Sequence, residues 1–262
     1  MKSNEVFLSI PLIGAWGNSQ SLGLTAGSEK IKIWAEANRS GEVRLNGRRI
    51  EDILAPLRRR YSTLEQIGVE ITAPSEEYLP LSPSVLAAAF SVAGRAAGIP
   101  RAEWERVLIN VSPVAARVLH QPYGLVLRKR AYSVNGPVLW SVFFKIGERF
   151  EGVGPFGHCR QRFVPALLKK ARSALHIADV GQLLQTITKD TQYVLAMLIA
   201  AGHFPQVIDT LRLIKDWQRE GRLVGLSITS SAGFVLFDPA EIELIQDHWG
   251  STEILRPAQG SL

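Results

Sequence analysis

The sequence predicts an α+β fold rather than a doubly wound parallel sheet. Residues 30–37 alternate between polar and apolar side chains with a period of two, which is typical of a half-buried strand. Asn46-Gly47 lies between two apolar alternations and is the strongest hairpin signal in the chain. The first half mixes strands with helices and the second half ends in antiparallel-looking strands, so the regular strand–helix alternation of a parallel sheet is missing.

The first part of the chain is predicted to begin with strands and to continue with helices. Residues 51–67 place Ile53, Leu57 and Leu64 on one side of a helix. The predicted strands are 5–13, 21–27, 30–37, 68–74, 123–134 and 138–146, with the hairpin at 42–50. The predicted helices are 51–67, 82–98 and 101–123, the last of them broken near Ser112-Pro113.

The second part of the chain opens with a glycine-rich loop at 147–163. Two or three helices are predicted within 164–202, and an amphipathic helix at 205–221 ends at Gly221. Residues 223–237 read as a strand, a tight turn and a second strand. A last helix is predicted at 239–250, followed by a loose tail at 251–262.

Composition indicates a folded protein with a full core. The chain has 262 residues, of which 46% are hydrophobic, so it forms one large domain or two packed halves, which we place at 1–130 and 131–262. No apolar run approaches a membrane span and the N-terminus does not read as a signal peptide. The single cysteine, Cys159, excludes an internal disulfide. These features predict a soluble, cytoplasmic protein.

The charge of the chain favours an anionic partner. The formal net charge is +6 and the isoelectric point is about 9.6. Such a balance suits a small phosphorylated molecule or a nucleic acid. The basic runs at 44–49, 57–60, 127–130 and 168–172 are scattered and lack interleaved aromatic residues, which disfavours nucleic acid as the partner. The sequence leaves a homodimer open.

Common catalytic signatures are missing from the sequence. There is no Walker loop and no G-x-G-x-x-G between a strand and a helix. The five histidines show no metal-ligand spacing, so no metal site is expected. His158 and Cys159 are adjacent on a loop, and neighbours of this kind seldom face each other as a base and a nucleophile.

Three small polar turns remain as candidate anion sites. Ser82 and Ser84 flank Pro83 at the start of a predicted helix, where free main-chain N–H groups and the helix dipole favour an anion. Taken alone, these serines read as ordinary helix caps. Ser112-Pro113 repeats this helix entry and is followed by Arg117, and the third turn, residues 229–231, precedes Ala232-Gly233. Together they offer what a phosphorylated ligand needs: neutral donors, close backbone approach and a cation.

The order of these segments resembles the GHMP kinase superfamily, and within it the mevalonate diphosphate decarboxylases. The similarity is carried by collinear segments over nearly the whole chain and not by one specific motif. These segments are 11–27, 43–60, 68–99, 110–127, 187–208 and 226–237. The resemblance implies a GHMP-kinase-like two-layer fold, with a first half like ribosomal protein S5 domain 2 and a ferredoxin-like second half. It also implies that Ser112 and Arg117 contact the substrate anion and that Ser82 and Ser84 lie at the phosphate loop.

The chain departs from this family at the residues that handle ATP and the substrate hydroxyl. Residues 79–85 contain no glycine and two prolines, whereas the family's phosphate loop wraps ATP with bare backbone. Ser231 stands where the family has the aspartate of its Asp-Ala-Gly turn, and Asn18 stands where a lysine or arginine is usual. A serine cannot act as a carboxylate base. We therefore expect no ordinary use of ATP and leave the cofactor unassigned.

Three interpretations follow from the resemblance. The first is a divergent enzyme of the superfamily acting on a small phosphorylated metabolite, similar to the decarboxylases of the mevalonate pathway. Ser230, Ser231 and Asn18 would then face the reacting end, and Asp190 is the nearest candidate carboxylate. The second rests on the Ser-Ser-x-Gly turn at 230–233. It is similar to the β-ribofuranosylaminobenzene 5'-phosphate synthases of tetrahydromethanopterin biosynthesis, which use phosphoribosyl pyrophosphate. The third is a catalytically inactive binding protein that kept the fold.

Overall fold

Helices and strands alternate without a repeating order in the computed structural model, which describes residues 4–14, 20–28, 33–74, 82–146, 162–203, 206–229, 232–250 and 252–258. The described strands are β1 (Asn4–Val6), β2 (Leu8–Ile13), β3 (Ser21–Gly27), β4 (Ile33–Asn38), β5 (Val43–Leu45), β6 (Arg48–Arg49), β7 (Gly68–Thr72), β8 (Tyr123–Leu127), β9 (Arg130–Val134), β10 (Trp140–Lys145), β11 (Val224–Ile228), β12 (Ala232–Phe237) and β13 (Arg256–Pro257). The described helices are α1 (Ala55–Arg58), α2 (Ser82–Ala96), α3 (Arg101–Val111), α4 (Pro113–Val118), α5 (Val164–His176), α6 (Val180–Ala200), α7 (Val207–Arg219) and α8 (Ile242–Trp249). The α+β prediction is confirmed.

The first sheet has the strand order β1-β4-β7-β5-β6. Its strands pair antiparallel except for β5 and β7, which run parallel. Asn46 and Gly47 form the predicted hairpin turn with positive φ angles of 50° and 78°. The Asn46 side chain also bonds the main-chain N–H and C=O of Ala73, so the turn is fixed to the chain beyond β7.

The second sheet contains the most deeply buried strands of the first half and positions the candidate site. Its strand order is β13-β3-β8-β9. Strand β2 belongs to the same sheet and pairs antiparallel with β3. Every residue of β2 and β3 is buried, so both faces of these strands are covered. Helix α4 packs on β2, β3 and β8, while α5 and α6 also contact β2.

The third sheet has the order β10-β12-β11, and α6 and α7 pack against β11. Apolar side chains from these helices, from α8 and from the sheet form a second core cluster beside the main one. Helix α6 is 21 residues long. Of the helices in the described residues, none combines the length and the apolar character that crossing a membrane requires.

The prediction of one helix over 51–67 was wrong. The structure has only the four-residue α1 and a 3₁₀ turn at Ser62–Leu64 in this range. Tyr61 between them is extended, with φ −135° and ψ 100°, which ends the helix. Leu57 and Leu64 still reach the core, because two short turns can present them to it as well as one helix can.

Two strand-level predictions also need correction. Residues 123–134 form two strands rather than one, because Arg128 and Lys129 turn the chain with φ angles of 49° and 60°. The tail was expected to be loose, yet Arg256–Pro257 pairs with β3 and Leu255 bridges to Ser141. Burial of Leu255 holds this segment to the sheet.

Candidate functional site

A buried carboxylate from the second half of the chain reaches the end of a strand from the first half. Asp190 lies on α6 and is only 5% exposed. Its Oδ2 accepts a hydrogen bond of 3.2 Å from the main-chain N–H of Gly14, directly after β2. Gly14 has φ +75°, and a Cβ there would lie 2.4 Å from the main-chain oxygen of Gln20. Only glycine suits this corner, which leads into the segment that contains Asn18.

The helix that carries Asp190 is held in register by its threonines. Strand β11 is at the edge of its sheet, so its outer main-chain groups need other partners. Thr191 Oγ1 donates to Leu226 O at 2.6 Å, and Leu226 N donates to Thr188 Oγ1 at 3.1 Å. Gln218 from α7 donates to Val224 O at 2.8 Å and to Thr188 Oγ1 at 3.0 Å. These bonds fix α6 against β11 and thereby fix Asp190.

Strand β11 is also joined to β2, and its end leads to the third predicted turn. The buried hydroxyl of Ser227 donates to Pro11 O. Beyond β11, Thr229 N donates to Ala232 O at 2.8 Å, and Ala232 N donates to Thr229 Oγ1 at 2.9 Å. These bonds join the residues on either side of positions 230 and 231. Asn18, Ser230 and Ser231 themselves lie outside the described residues.

Arg117 occupies a slot formed by two glycines. Gly23 on β3 pairs with Gly124 on β8, and the arginine side chain lies over this pair. A Cβ on Gly23 would lie 2.3 Å from Arg117 Nε, and one on Gly124 would lie 2.2 Å from the main-chain oxygen of Arg117. The guanidinium donates to Leu22 O and to Ser9 Oγ, each at 3.1 Å.

The charge of Arg117 is not balanced by a carboxylate of the described chain. The residue is 1% exposed and its Nε has no hydrogen-bond partner. Among the residues described, none forms an ion pair with it. Burial lowers the pKa of Arg117 to about 10, which still leaves it charged at neutral pH. A buried cation without a counter-charge is costly, so the position calls for an anion.

The predicted serine positions differ in what their hydroxyls do. Ser112 caps α4 by accepting a bond of 3.2 Å from Ala115 N. Ser84 lies in the first turn of α2 and is fully buried, and its hydroxyl has no hydrogen-bond partner among the residues that the structure describes. Ser82 begins α2, and its side chain lies outside the described part. Because α2 packs on α4, Ser84 and Arg117 belong to one layer of helices.

Sequence reasoning missed the residues that support these groups. Ser9 interrupts an apolar strand and accepts from Arg117, and Gly23 and Gly124 make the space for it. A serine or glycine within a fully buried strand is a signal that could have found them. No group of His, Cys, Asp or Glu in the described residues could hold a metal ion.

Several solved structures that are similar to this chain are named as mevalonate diphosphate decarboxylases or as mevalonate-3-kinase. Mevalonate-3-kinase from Thermoplasma acidophilum, with mevalonate 3-phosphate and ADP bound, has a TM-score of 0.80 at 14% identity and covers 98% of this chain and 96% of its own. Mevalonate diphosphate decarboxylase from Staphylococcus aureus has a TM-score of 0.79 at 14% identity and covers 98% and 95%. The mevalonate pyrophosphate decarboxylase from Streptococcus pyogenes has a TM-score of 0.78 at 12% identity, and the match covers 98% of this chain and 96% of that one.

No protein-family model matches the sequence, and no curated protein sequence does either. At this level of identity, the structural likeness establishes the fold alone. The chain has the GHMP kinase fold, as the resemblance implied.

Proposed function

We propose that the protein is a GHMP-fold enzyme that acts on a small phosphorylated metabolite, similar to mevalonate diphosphate decarboxylase but without the usual use of ATP. The observation that carries the proposal is the bond between Asp190 and Gly14. It places a buried carboxylate at the strand end that leads to Asn18. Strand β11, joined to β2 by Ser227, leads to Ser230 and Ser231. An Asp190 so placed supplies a negative charge near the reacting end even though the family's turn aspartate is Ser231 here.

Arg117 supplies the complementary charge in this proposal. A carboxylate or phosphate of the substrate would neutralise its guanidinium, and Ser84 offers an unused hydroxyl donor in the same helix layer. Ser112 is less available, because its hydroxyl already caps α4. Ser82 at the start of α2 stays a predicted phosphate contact. Preorganised groups of this kind stabilise charge without reorganisation when the reaction proceeds.

The chemistry proposed needs no ATP if the substrate arrives phosphorylated. The C–O bond to the phosphate breaks and its electron pair leaves with the phosphate. The C–C bond to the carboxylate then breaks, carbon dioxide leaves, and that electron pair forms the new double bond. The protein orients the substrate so that both bonds are aligned and excludes water from the developing charge.

A non-catalytic binding protein is the second candidate. The hydrogen bond between Gly14 and Asp190 also favours this candidate, because Asp190 Oδ2 already accepts from a main-chain N–H and therefore has a structural role. In that case Arg117 and Ser84 would bind an anion without turnover. The two candidates predict the same ligand binding and differ in whether product forms.

A ligand screen followed by a turnover assay tests both candidates. Mevalonate, its phosphates, phosphoribosyl pyrophosphate and ATP–Mg are added singly, and thermal unfolding is measured. A ligand at a hundred times its dissociation constant adds about 2.7 kcal/mol of stability, which is a clear shift. Release of inorganic phosphate and carbon dioxide is then measured with each ligand that binds. Binding with turnover supports the enzyme, and binding without turnover supports the second candidate.

Matched variants connect the result to the site. We expect Arg117→Met to abolish the ligand-induced shift and Arg117→Lys to retain part of it. Arg58→Met is the control, because Arg58, like Arg117, donates to main-chain oxygen but, unlike Arg117, is paired with a carboxylate, that of Asp52. Asp190→Asn keeps an acceptor for Gly14 and should lose turnover with binding retained, whereas Asp179→Asn, at the cap of the same helix, should not. If no phosphorylated ligand shifts the wild-type protein, the proposal fails.

A further inference from the structure

A basic groove lies between the β8–β9 hairpin and the outer face of α5, and at one end it reaches Gln20, beside the Gly14 corner. It consists of two adjoining cavities of about 990 Å³ and 780 Å³. Both cavities are lined by Leu127, Tyr132, Lys169 and Arg172. The fold thus joins two basic runs, 127–130 and 168–172, that are some forty residues apart in the sequence.

The groove is lined by positive charge. Its cationic lining consists of Arg128, Arg130, Lys169 and Arg172, with His176 at one end. The four Lys and Arg side chains are exposed. Among the described residues, no carboxylate lines either cavity and none of the four forms an ion pair. Converging cations of this kind attract a ligand that carries several negative charges.

The turn that carries one of these cations is held in an unfavourable conformation. Arg128 and Lys129 both have positive φ, as the central residues of a two-residue hairpin require. Asparagine and glycine are the usual residues at such positions, because other residues are strained there. The hairpin nevertheless has two basic residues at its tip, and Arg128 lines the groove.

The groove also offers a stacking surface. Tyr132 is 42% exposed and lines both cavities, so its ring lies where the two meet. Leu125, Leu127 and Leu175 line the same space, and Ser133 and Asn135 add neutral hydrogen-bonding groups. An aromatic ring among cations is the arrangement that holds a base and its flanking phosphates.

We propose that this groove binds single-stranded nucleic acid through Tyr132 stacking and through phosphate contacts from Arg128, Arg130, Lys169 and Arg172. Two open, adjoining cavities suit an extended polyanion better than one compact nucleotide. The scattered basic runs disfavoured nucleic acid at the level of sequence, but the fold brings two of them together around an aromatic residue. The proposal does not depend on the function proposed above, since it uses none of the same residues.

Fluorescence anisotropy with a labelled single-stranded RNA of roughly 12 nucleotides, and with its DNA equivalent, tests the groove. We expect saturable binding by the wild-type protein at low salt. The double variant Arg128→Ala/Arg172→Ala should bind at least 10-fold more weakly, and the slope of log K against log salt should fall by about 1.4, or about 0.7 per lost phosphate contact. The control Arg59→Ala/Arg60→Ala removes two exposed arginines from another basic run and should change binding less than 2-fold.

Variants of Tyr132 distinguish the contribution of base stacking from that of charge. Tyr132→Ala should weaken binding about 5-fold or more, and Tyr132→Phe should retain it, since a phenylalanine ring stacks equally well. The proposal is overturned if neither oligonucleotide binds, or if the two double variants lose binding equally, which would indicate diffuse surface charge. It is also overturned if ATP binds the groove as tightly as the oligonucleotide, since the ligand would then be a mononucleotide.

Discussion

Two regions of this molecule differ in how their inward-facing polar atoms are paired. Where α6 and α7 pack on β11, Thr188, Thr191 and Gln218 bond one another or the edge of the strand. Where α2 and α4 pack near β3, buried polar atoms of Ser21, Ser84 and Arg117 have no hydrogen-bond partner among the described residues. Folded proteins rarely leave such atoms unpaired. The bonds to β11 therefore contribute to stability, whereas the function proposed above gives a ligand to the unpaired atoms of Ser84 and Arg117.

Among the variants that test this contrast, Thr188→Val should cause the largest change in the free energy of unfolding. The substitution keeps the shape but leaves the main-chain N–H of Leu226 buried without a partner. We expect the free energy of unfolding to fall by about 2–3 kcal/mol in urea denaturation. Thr186→Val on the same helix is the control, because its hydroxyl bonds only Gln182 O within the helix. Equal losses in both variants would mean that the threonines do not support β11 in the way described.

Ser84→Ala should have a smaller effect of the opposite sign. Removing a buried hydroxyl that bonds nothing is expected to leave stability unchanged or to raise it by up to about 1 kcal/mol. Ser91→Ala on the same helix is the comparison, since Ser91 is equally buried but has an interaction partner, and its loss should cost about 1 kcal/mol. A clear destabilisation by Ser84→Ala would show that its hydroxyl is hydrogen-bonded in the unliganded protein. The two regions would then not differ in the way described.

Glu105→Gln should give the smallest loss of stability, which is present at neutral pH and disappears in acid. Glu105 Oε1 lies 2.6 Å from His120 Nε2 at the edge of the α2–α4 layer. Burial by itself raises the pKa of this carboxyl, but the hydrogen bond and charge of His120, with the Arg101 guanidinium, outweigh it and lower the pKa below the ordinary value of 4.5. The stabilisation is therefore present above that value and is lost as the pH falls through the lowered pKa.

Urea midpoints between roughly pH 6 and roughly pH 3 measure this acid dependence. The wild-type protein should lose stability more steeply below the ordinary carboxyl pKa than Glu105→Gln. The exposed carboxylate Glu65 provides the control, and Glu65→Gln should retain the wild-type slope. Parallel curves for the wild type and Glu105→Gln would mean that the pair of Glu105 and His120 contributes nothing to stability.

Local features of the fold could be predicted from the sequence. The Asn46-Gly47 hairpin and the helix break with a serine cap at Ser112 depend on backbone conformations that a few neighbouring residues determine. The burial of Arg117 could not be predicted, because it depends on Gly23 and Gly124, which are far apart in the chain until β3 and β8 pair. For the same reason, the two halves of the basic groove looked like unrelated surface charge.

The candidate site was predictable only in outline. The polar turns indicated Ser84 and Arg117, the resemblance added Asp190, and the structure buries all three. The resemblance could not predict which residues contact them. Asp190, for example, is hydrogen-bonded to Gly14, which is 176 residues away in the sequence. Contacts of such long range come from tertiary packing rather than from local propensity. The roles of Asn18, Ser230 and Ser231 stay predictions.

The glycine slot of Arg117 has a consequence for how this sequence can diverge. Alanine at either position 23 or 124 would place a methyl group on the arginine's side chain or backbone, at 2.3 Å or 2.2 Å. The two glycines are constrained differently, because Gly23 faces the guanidinium whereas Gly124 faces the main chain of residue 117. Replacing Arg117 by a smaller residue would therefore relax the requirement for glycine at position 23 but not at position 124. Once position 23 has gained a larger side chain, the slot is closed and arginine no longer fits at position 117.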